Sequence, residues 1–143
     1  MLTRLIYHSL VVGECSPETL NSILATSEYN NAHDGVTGAL LFNAVWFVQV
    51  LEGEREVLSK TVRRLFDDTR HTNVTIADVR PTEERMFANW WMGASAIEGL
   101  DPGFLAAHGI DSEFDPRRLN GEAILLMTLG VSDTLASRIV VAK

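Results

Sequence analysis

Short apolar runs of period two alternate along this chain with longer runs of period near 3.6, and together they predict an α+β fold. Leu2–His8 reads as a first strand, with Thr3, Leu5, Tyr7 and Ser9 on one face. Ser16 can cap a helix and Pro17 suits its first turn, while Leu20, Ile23 and Leu24 keep the helical spacing. That helix is expected to end near Glu28–Asn31, ahead of an Asp34-Gly35 turn. Gly38–Phe42 and Val45–Leu51 flank a short Asn43-Ala44 reversal and read as a hairpin. Glu52-Gly53-Glu54 breaks the second of these strands. A second helix over Glu54–Asp67 places Leu58, Val62, Leu65 and Phe66 on one stripe. A fourth strand is expected at Val74–Pro81 and a fifth near Trp90–Ala96.

This order is that of a ferredoxin-like βαββαβ core with one extra strand: a mixed five-stranded sheet with both helices on one face. The pattern assigns residues 1–98 to that unit, and Asp101-Pro102-Gly103 closes it. Residues 99–143 read as a helical extension. Asp115-Pro116 is expected to start a helix, and Gly130 to close the run Ala123-Ile124-Leu125-Leu126-Met127. Ser132 can cap a last helix reaching about Val141. The Ala123–Met127 segment is apolar almost all round and must be buried. Two seats are open to it: the sheet face that the first two helices leave bare, or a subunit interface.

Composition narrows the classes of function. The chain has 143 residues, 46% hydrophobic and 22% charged, with a formal net charge of −7. Nucleic-acid binding needs a concentration of basic residues, and Arg63-Arg64 and Arg117-Arg118 are too short and too near acids to supply one. No run approaches the roughly 20 apolar residues of a membrane span. Arg4 and His8 interrupt the N-terminal apolar run, which does not read as a secretory signal. The single Cys15 cannot form an internal disulfide and points to a reducing compartment. A cytoplasmic protein is expected, with neither nucleic acid nor membrane as partner.

Two polar side chains stand in strands that are otherwise apolar. Tyr7 lies within the first strand, and Gln49 shares a face of the third with Val45, Phe47 and Leu51. The opposite face carries Trp46, Val48 and Val50, so this strand is expected to be buried on both sides. A buried amide without a partner costs about 1–3 kcal/mol, and a tyrosine hydroxyl on a nearby strand would satisfy it. Such a bond also suits a pair that does no more than complete a core. Asn30-Asn31 closes the first helix in this reading, and an asparagine amide offers both donor and acceptor to a heterocycle with alternating carbonyls and N–H groups. The Asp68-Thr69-Arg70-His71 run reads as a solvated loop after the second helix, or as one from which Arg70 or His71 meets a phosphate. Trp90 and Met92 fall on one face of the fifth strand and Trp91 on the other, a soft wall for a flat ring. No Gly-rich phosphate loop, G-x-S-x-G elbow or metal-ligand spacing occurs in the sequence.

In this order and spacing, the segments Leu5-Ile6-Tyr7-His8-Ser9, Asn30-Asn31, Thr37-Gly38-Ala39-Leu40-Leu41, Phe47–Gly53, Asp68–Asn73 and Phe87–Met92 resemble the BLUF domain, the blue-light sensor using FAD. The resemblance covers about residues 1–98. It implies a flavin, usually FAD, held noncovalently between the two helices, with FMN or riboflavin as shorter forms that a preparation can carry. Tyr7 would donate an electron and a proton to the excited ring, and Gln49 would bridge the phenol and the ring. Asn31 would hold the pyrimidine edge with Asn30 nearby. Asp68, Arg70 and His71 would contact the flavin or its tail, and Trp90 and Met92 would relay the rearrangement of Gln49.

The expected protein is a photosensory signalling protein with a reversible photocycle rather than a turnover enzyme. Its signal would pass through the C-terminal helices to a separate protein effector or to an interface of a homo-oligomer. A ferredoxin-like interaction module without flavin or light response is the alternative, and a small flavin oxidoreductase a further one.

Overall fold

The computed structural model describes residues 1–137. Five strands, β1 (Leu2–Val11), β2 (Thr37–Phe42), β3 (Trp46–Glu54), β4 (His71–Pro81) and β5 (Gly93–Ala96), form one mixed sheet in the order β4-β1-β3-β2-β5. The strand β3 runs antiparallel to both β1 and β2, β4 is antiparallel to β1, and β5 is parallel to β2. This is the expected ferredoxin-like α+β core with an extra strand. Central β3 is buried at every position from Trp46 to Gly53, as apolarity on both of its faces requires. Gly38 lets β2 approach β3 closely: a Cβ there would stand 2.2 Å from the Val50 carbonyl oxygen.

Alternation along the strands separates two cores. On one face Leu5, Tyr7, Leu40, Phe47 and Leu51 pack under α1 (Pro17–Asp34) and α2 (Arg55–Asp67). On the other, Ile6, Leu41, Val48 and Val50 pack against Ala123, Ile124 and Met127 of α4 (Gly121–Gly130). Of the two seats open to the apolar C-terminal helix, the bare sheet face is the one it occupies within this chain. A Cβ at Gly121 would stand 2.3 Å from the Asp78 Cβ, so a glycine is needed where α4 begins against β4.

Several boundaries differ from expectation, each for a local reason. The helix α1 runs through Asn30 and Asn31 to Asp34, because Gly35 adopts the left-handed φ of 70° that ends it and donates its N–H to the Asn31 carbonyl. Asn31 is therefore not a terminal residue; it shares the buried face of α1 with Leu20 and Leu24. Phe66 leaves the expected stripe of α2 and is exposed, whereas Leu58, Val62 and Leu65 pack inward. Asp101-Pro102-Gly103 opens a short helix, α3 (Pro102–Ala107), with the Asp101 side chain as its cap. Asp115-Pro116 starts only a 3-10 turn, Pro116–Arg118; the α4 cap is Asn120, which accepts from the Ala123 N–H.

Ser132 begins a 3-10 turn rather than a helix. The chain becomes extended at Leu135, and Ala136 bridges the β5 edge at Ala94. The remainder of the expected last helix lies outside the described residues. No helix among the described residues is long and apolar enough to cross a membrane.

Candidate flavin site

Register sets the centre of the site. Tyr7 stands directly opposite Gln49, and Gln49 directly opposite Leu40, across the three central strands. Opposed residues of antiparallel strands share a face with their side chains in contact, and both polar groups are buried, at 3% and 4% exposure. The Tyr7 hydroxyl donates to Gln49 Oε1. The other end of the amide, Nε2, donates to Met92 Sδ at 3.2 Å. A thioether is a weak acceptor, so this buried amide N–H has room for a stronger partner. Burial, and secondarily the Asp68 carboxylate, push the Tyr7 phenol well above its ordinary pKa of 10.0. Near neutral pH the group holds its proton.

Around this pair the N-terminal end of β4 and the C-terminal end of α2 supply polar walls. His71 lies edge-on to Tyr7 at 6.1 Å between ring centroids. Its Nε2 contacts the Leu65 carbonyl at 2.6 Å and its Nδ1 the Ser9 hydroxyl at 2.7 Å. A carbonyl can only accept, so Nε2 carries a proton; in the tautomer with that single proton, Nδ1 accepts from the Ser9 hydroxyl. Asp68 pairs with Arg70 through Nε at 3.0 Å and Nη2 at 2.7 Å. The guanidinium holds the Asp68 carboxyl below the usual carboxylate range.

Two adjoining cavities lie between α1 and α2. A narrow one of about 30 Å³ reaches Tyr7, Gln49, Leu40, Phe47 and His71. Its neighbour, of about 190 Å³, is lined by Asn30, Asn31, Thr61 and Arg64. Ser27, Leu65, Asp68 and Arg70 belong to the walls of both. Asn31 donates through Nδ2 to the Trp91 carbonyl at 2.7 Å, which ties α1 to the segment before β5. A larger cavity of about 420 Å³ lies on the far side of α2, against Leu5, Leu58, Ile76 and Val79, and none of the sequence-derived candidates lines it.

The aromatic segment departs from expectation. Trp90-Trp91-Met92 precedes β5, which begins only at Gly93, so strand alternation does not govern it. Trp90 packs into the α4 core and Met92 into the α1/α2 core, on opposite faces of the sheet. Trp91 is half exposed. Neither tryptophan lines the two cavities. Of this trio, Met92 hydrogen-bonds with the Tyr7–Gln49 pair, accepting from Gln49 through its sulfur.

Sequence reasoning left out Ser9, Leu65, Ile23 and Ser27. Ser9 had one available signal, since it shares the face of Tyr7. The Leu65 contribution is a backbone carbonyl and has no side-chain signature. The donor set suits a flat heterocycle with alternating carbonyl and N–H groups: amides from Asn30, Asn31 and Gln49, and a guanidinium from Arg70, meet where the two helices part. The residues present therefore fit a flavin.

Fold and site together define a class, a ferredoxin-like α+β module with a polar-lined cleft between its two helices that suits a flat heterocycle, and comparison with known proteins gives the family. The BLUF family, described as sensors of blue-light using FAD, matches residues 2–93, and the chain belongs to it. It is 36% identical over 99 residues to the photoactivated adenylate cyclase subunit beta of Euglena gracilis, a match covering 69% of this chain but only 12% of that protein. Among solved structures, BlsA in its photo-activated state superposes with a TM-score of 0.86 at 25% identity, covering 99% of this chain and all of that one. The BLUF protein BlrB in its dark state gives 0.73 at 28% identity, covering 94% and 97%.

Proposed function

We propose that this chain is a blue-light receptor whose switch is the hydrogen-bonded series Tyr7–Gln49–Met92, and that it carries no turnover chemistry of its own. The observation behind this reading is the orientation of the Gln49 amide, which accepts from a phenol at one end and donates to a thioether at the other. A bound flavin, FAD in the family description, supplies blue-light absorption and, when excited, an oxidant able to take one electron from a phenol. Tyr7 gives up that electron and its phenolic proton, and regains both in the dark. The phenolic proton would move along its hydrogen bond to Gln49 Oε1 while Gln49 Nε2 released one of its own toward the flavin, so that electron and proton would both rest on the flavin until they return to Tyr7 in the dark.

Gln49 then rotates or tautomerises. Its two ends differ in chemistry, so rotation brings the carbonyl oxygen to Met92. The thioether accepts a hydrogen bond but donates none, so the Gln49–Met92 bond exists in one amide orientation and is lost in the other. Met92 directly precedes β5, and Ala94 exchanges backbone hydrogen bonds of 2.8 and 3.0 Å with Ala136. That bridge connects the switch to the C-terminal segment. Residues 1–98 thus act as the sensor and residues 99–143 as the output region.

Asn31, Asn30, Asp68, Arg70 and His71 hold the flavin in this reading; Asn31 also fixes the Trp91 carbonyl, and Trp90 moves with Met92. The receiver is a separate protein effector or a second copy of the chain. An absorption spectrum of the FAD-loaded protein before and after blue light tests the proposal: a small red shift that reverses in the dark is expected. A preparation that takes up no FAD, FMN or riboflavin overturns it.

A further inference from the structure

The switch as read above makes no use of Glu52, although this carboxylate is completely buried. Glu52 lies on β3, three residues beyond Gln49 and on the opposite face of the sheet. Its oxygens are fully engaged. Arg4 donates through Nε at 3.3 Å and Nη2 at 3.2 Å, and the backbone N–H groups of Met86 and Phe87 donate at 2.7 and 2.8 Å. Thr37 completes the set at 3.4 Å. Arg85, next in the chain to Met86, donates to the Glu52 carbonyl at 3.0 Å, to Thr37 at 2.9 Å and to the Gly35 carbonyl at 2.8 Å.

These bonds converge on one connection, residues 82–92, which joins β4 to β5 and ends in Met92. Beyond Phe87 the connection is tied again by the Trp90 carbonyl to the Gly38 N–H at 3.1 Å and by the Trp91 carbonyl to Asn31. A buried charge, paired with Arg4 on β1, that takes its two shortest hydrogen bonds from the chain of a loop fixes where that loop lies, because leaving any partner unmet costs its full desolvation. The fixed point stands five residues from Met92, so it limits how far Met92 can stray from Gln49.

From this geometry we infer that Glu52 is a positioning residue of the light switch: with Arg85 it anchors the 82–92 connection so that Met92 reseats on Gln49 in the dark. The inference rests on the light-driven reading above. Its functional content is kinetic. An anchored connection searches few positions for the return of Met92, whereas a free one must be ordered at each return. Loosening the anchor slows dark recovery and leaves the photochemistry at Tyr7 in place.

The test compares Glu52→Gln and Arg85→Met with Leu119→Ala, a truncation in the same α4-side core as Phe87 and Trp90 that leaves every hydrogen bond of the anchor in place. Glu52→Gln presents an amide nitrogen to one of the two backbone donors; Arg85→Met leaves Glu52 intact and guards against misfolding of the first variant. The FAD-loaded proteins are expected to show the wild-type red shift. Dark recovery is expected to slow about fivefold or more in both anchor variants, as pre-organisation is lost. Leu119→Ala is expected to recover at the wild-type rate, even where its melting temperature falls as much.

Hydrogen exchange of residues 88–92 in the dark needs no photochemistry and is expected to rise in the two anchor variants alone. Wild-type recovery in both anchor variants overturns the inference, as does equal slowing in Leu119→Ala. If the wild-type protein does not photoconvert, the light-driven reading fails, and unchanged exchange in the anchor variants then overturns the anchor separately.

Discussion

Tyr7 and Gln49 are directly opposed residues of the β1–β3 ladder, and their side-chain hydrogen bond follows from that register. A shift of one residue would turn one of the two side chains to the α4 face and separate them. The ladder is held in register along its length by nine opposed pairs from Leu2↔Glu54 to Leu10↔Trp46. The resting geometry of the donor and its acceptor is thus a property of the sheet rather than of a mobile loop.

Tyr7→Phe keeps the ring and removes the donor to Gln49. The buried Oε1 is then unpaired, at a cost of about 1–3 kcal/mol. Urea unfolding of the flavin-free protein is expected to show a loss in that range. The FAD-loaded variant is expected to bind flavin, since Tyr7 is one wall residue among many, yet to show no reversible red shift. A normal light-minus-dark spectrum from this variant removes Tyr7 from the photocycle.

Asn31→Ala tests the pyrimidine-edge assignment. The side chain is 3% exposed and lines the larger of the two adjoining cavities. Its loss removes one well-placed amide and frees the Trp91 carbonyl from α1. One good hydrogen bond of about 1.4 kcal/mol corresponds to tenfold in affinity. FAD titration by fluorescence quenching is expected to show a dissociation constant raised about that much. An unchanged constant places the ring elsewhere.

The sequence made the elements legible where one physical cue dominated. Alternation separates the faces of β3, and the capping serine with its proline marks the start of α1. It failed where a competing local geometry decided the outcome. Asn30-Asn31 resembled a helix end, but the left-handed Gly35 ends α1 later, and that extension gives Asn31 its place on the buried face. Trp90-Trp91-Met92 resembled a strand, yet Asn31 takes the Trp91 carbonyl and Gly38 of β2 the Trp90 carbonyl, and the regular β2–β5 ladder starts only at Ala39↔Gly93. The faces of Trp90 and Met92 were therefore misassigned, while the Tyr7–Gln49 pair, fixed by long strands, was placed correctly. Nothing in a linear pattern announces that the Glu52 carboxylate meets the amides of Met86 and Phe87, because the partners are backbone atoms 34 and 35 positions away.

His8 gives the stability a pH dependence distinct from that of the carboxylates. It faces the α4 side of the sheet, edge-on to Trp46, with Asp115 and Arg117 nearby. Burial lowers its pKa from the ordinary 6.5, Asp115 opposes that shift and Arg117 adds to it. The unfolded chain therefore takes up this proton before the folded one does. Stability is present in full above 6.5 and falls as the pH drops below it toward the depressed folded value. Asp34, Asp68 and Asp115, whose carboxyls are held low by Arg64, Arg70 and Arg117, add their losses only at more acidic pH. Urea midpoints are expected to be flat above neutrality and to decline through the mildly acidic range. In His8→Phe the mildly acidic decline is expected to disappear while the more acidic one remains.

Met92 separates the packing of the switch from its chemistry. Met92→Leu preserves most of the buried volume and removes the sulfur that accepts from Gln49 Nε2. A volume-conserving exchange of this kind costs less than about 1.5 kcal/mol, whereas Met92→Ala opens a cavity and costs about 2–5 kcal/mol. If the thioether reads the amide orientation, the resting state loses its preference in both variants. Both are then expected to form the red-shifted state and to return from it several-fold more slowly than the wild type, despite their different stabilities. Slowing in Met92→Ala alone would assign the effect to packing, because Leu fills the same space without accepting a hydrogen bond. Recovery rates followed by absorbance at one temperature, beside urea midpoints for the same samples, decide between the two.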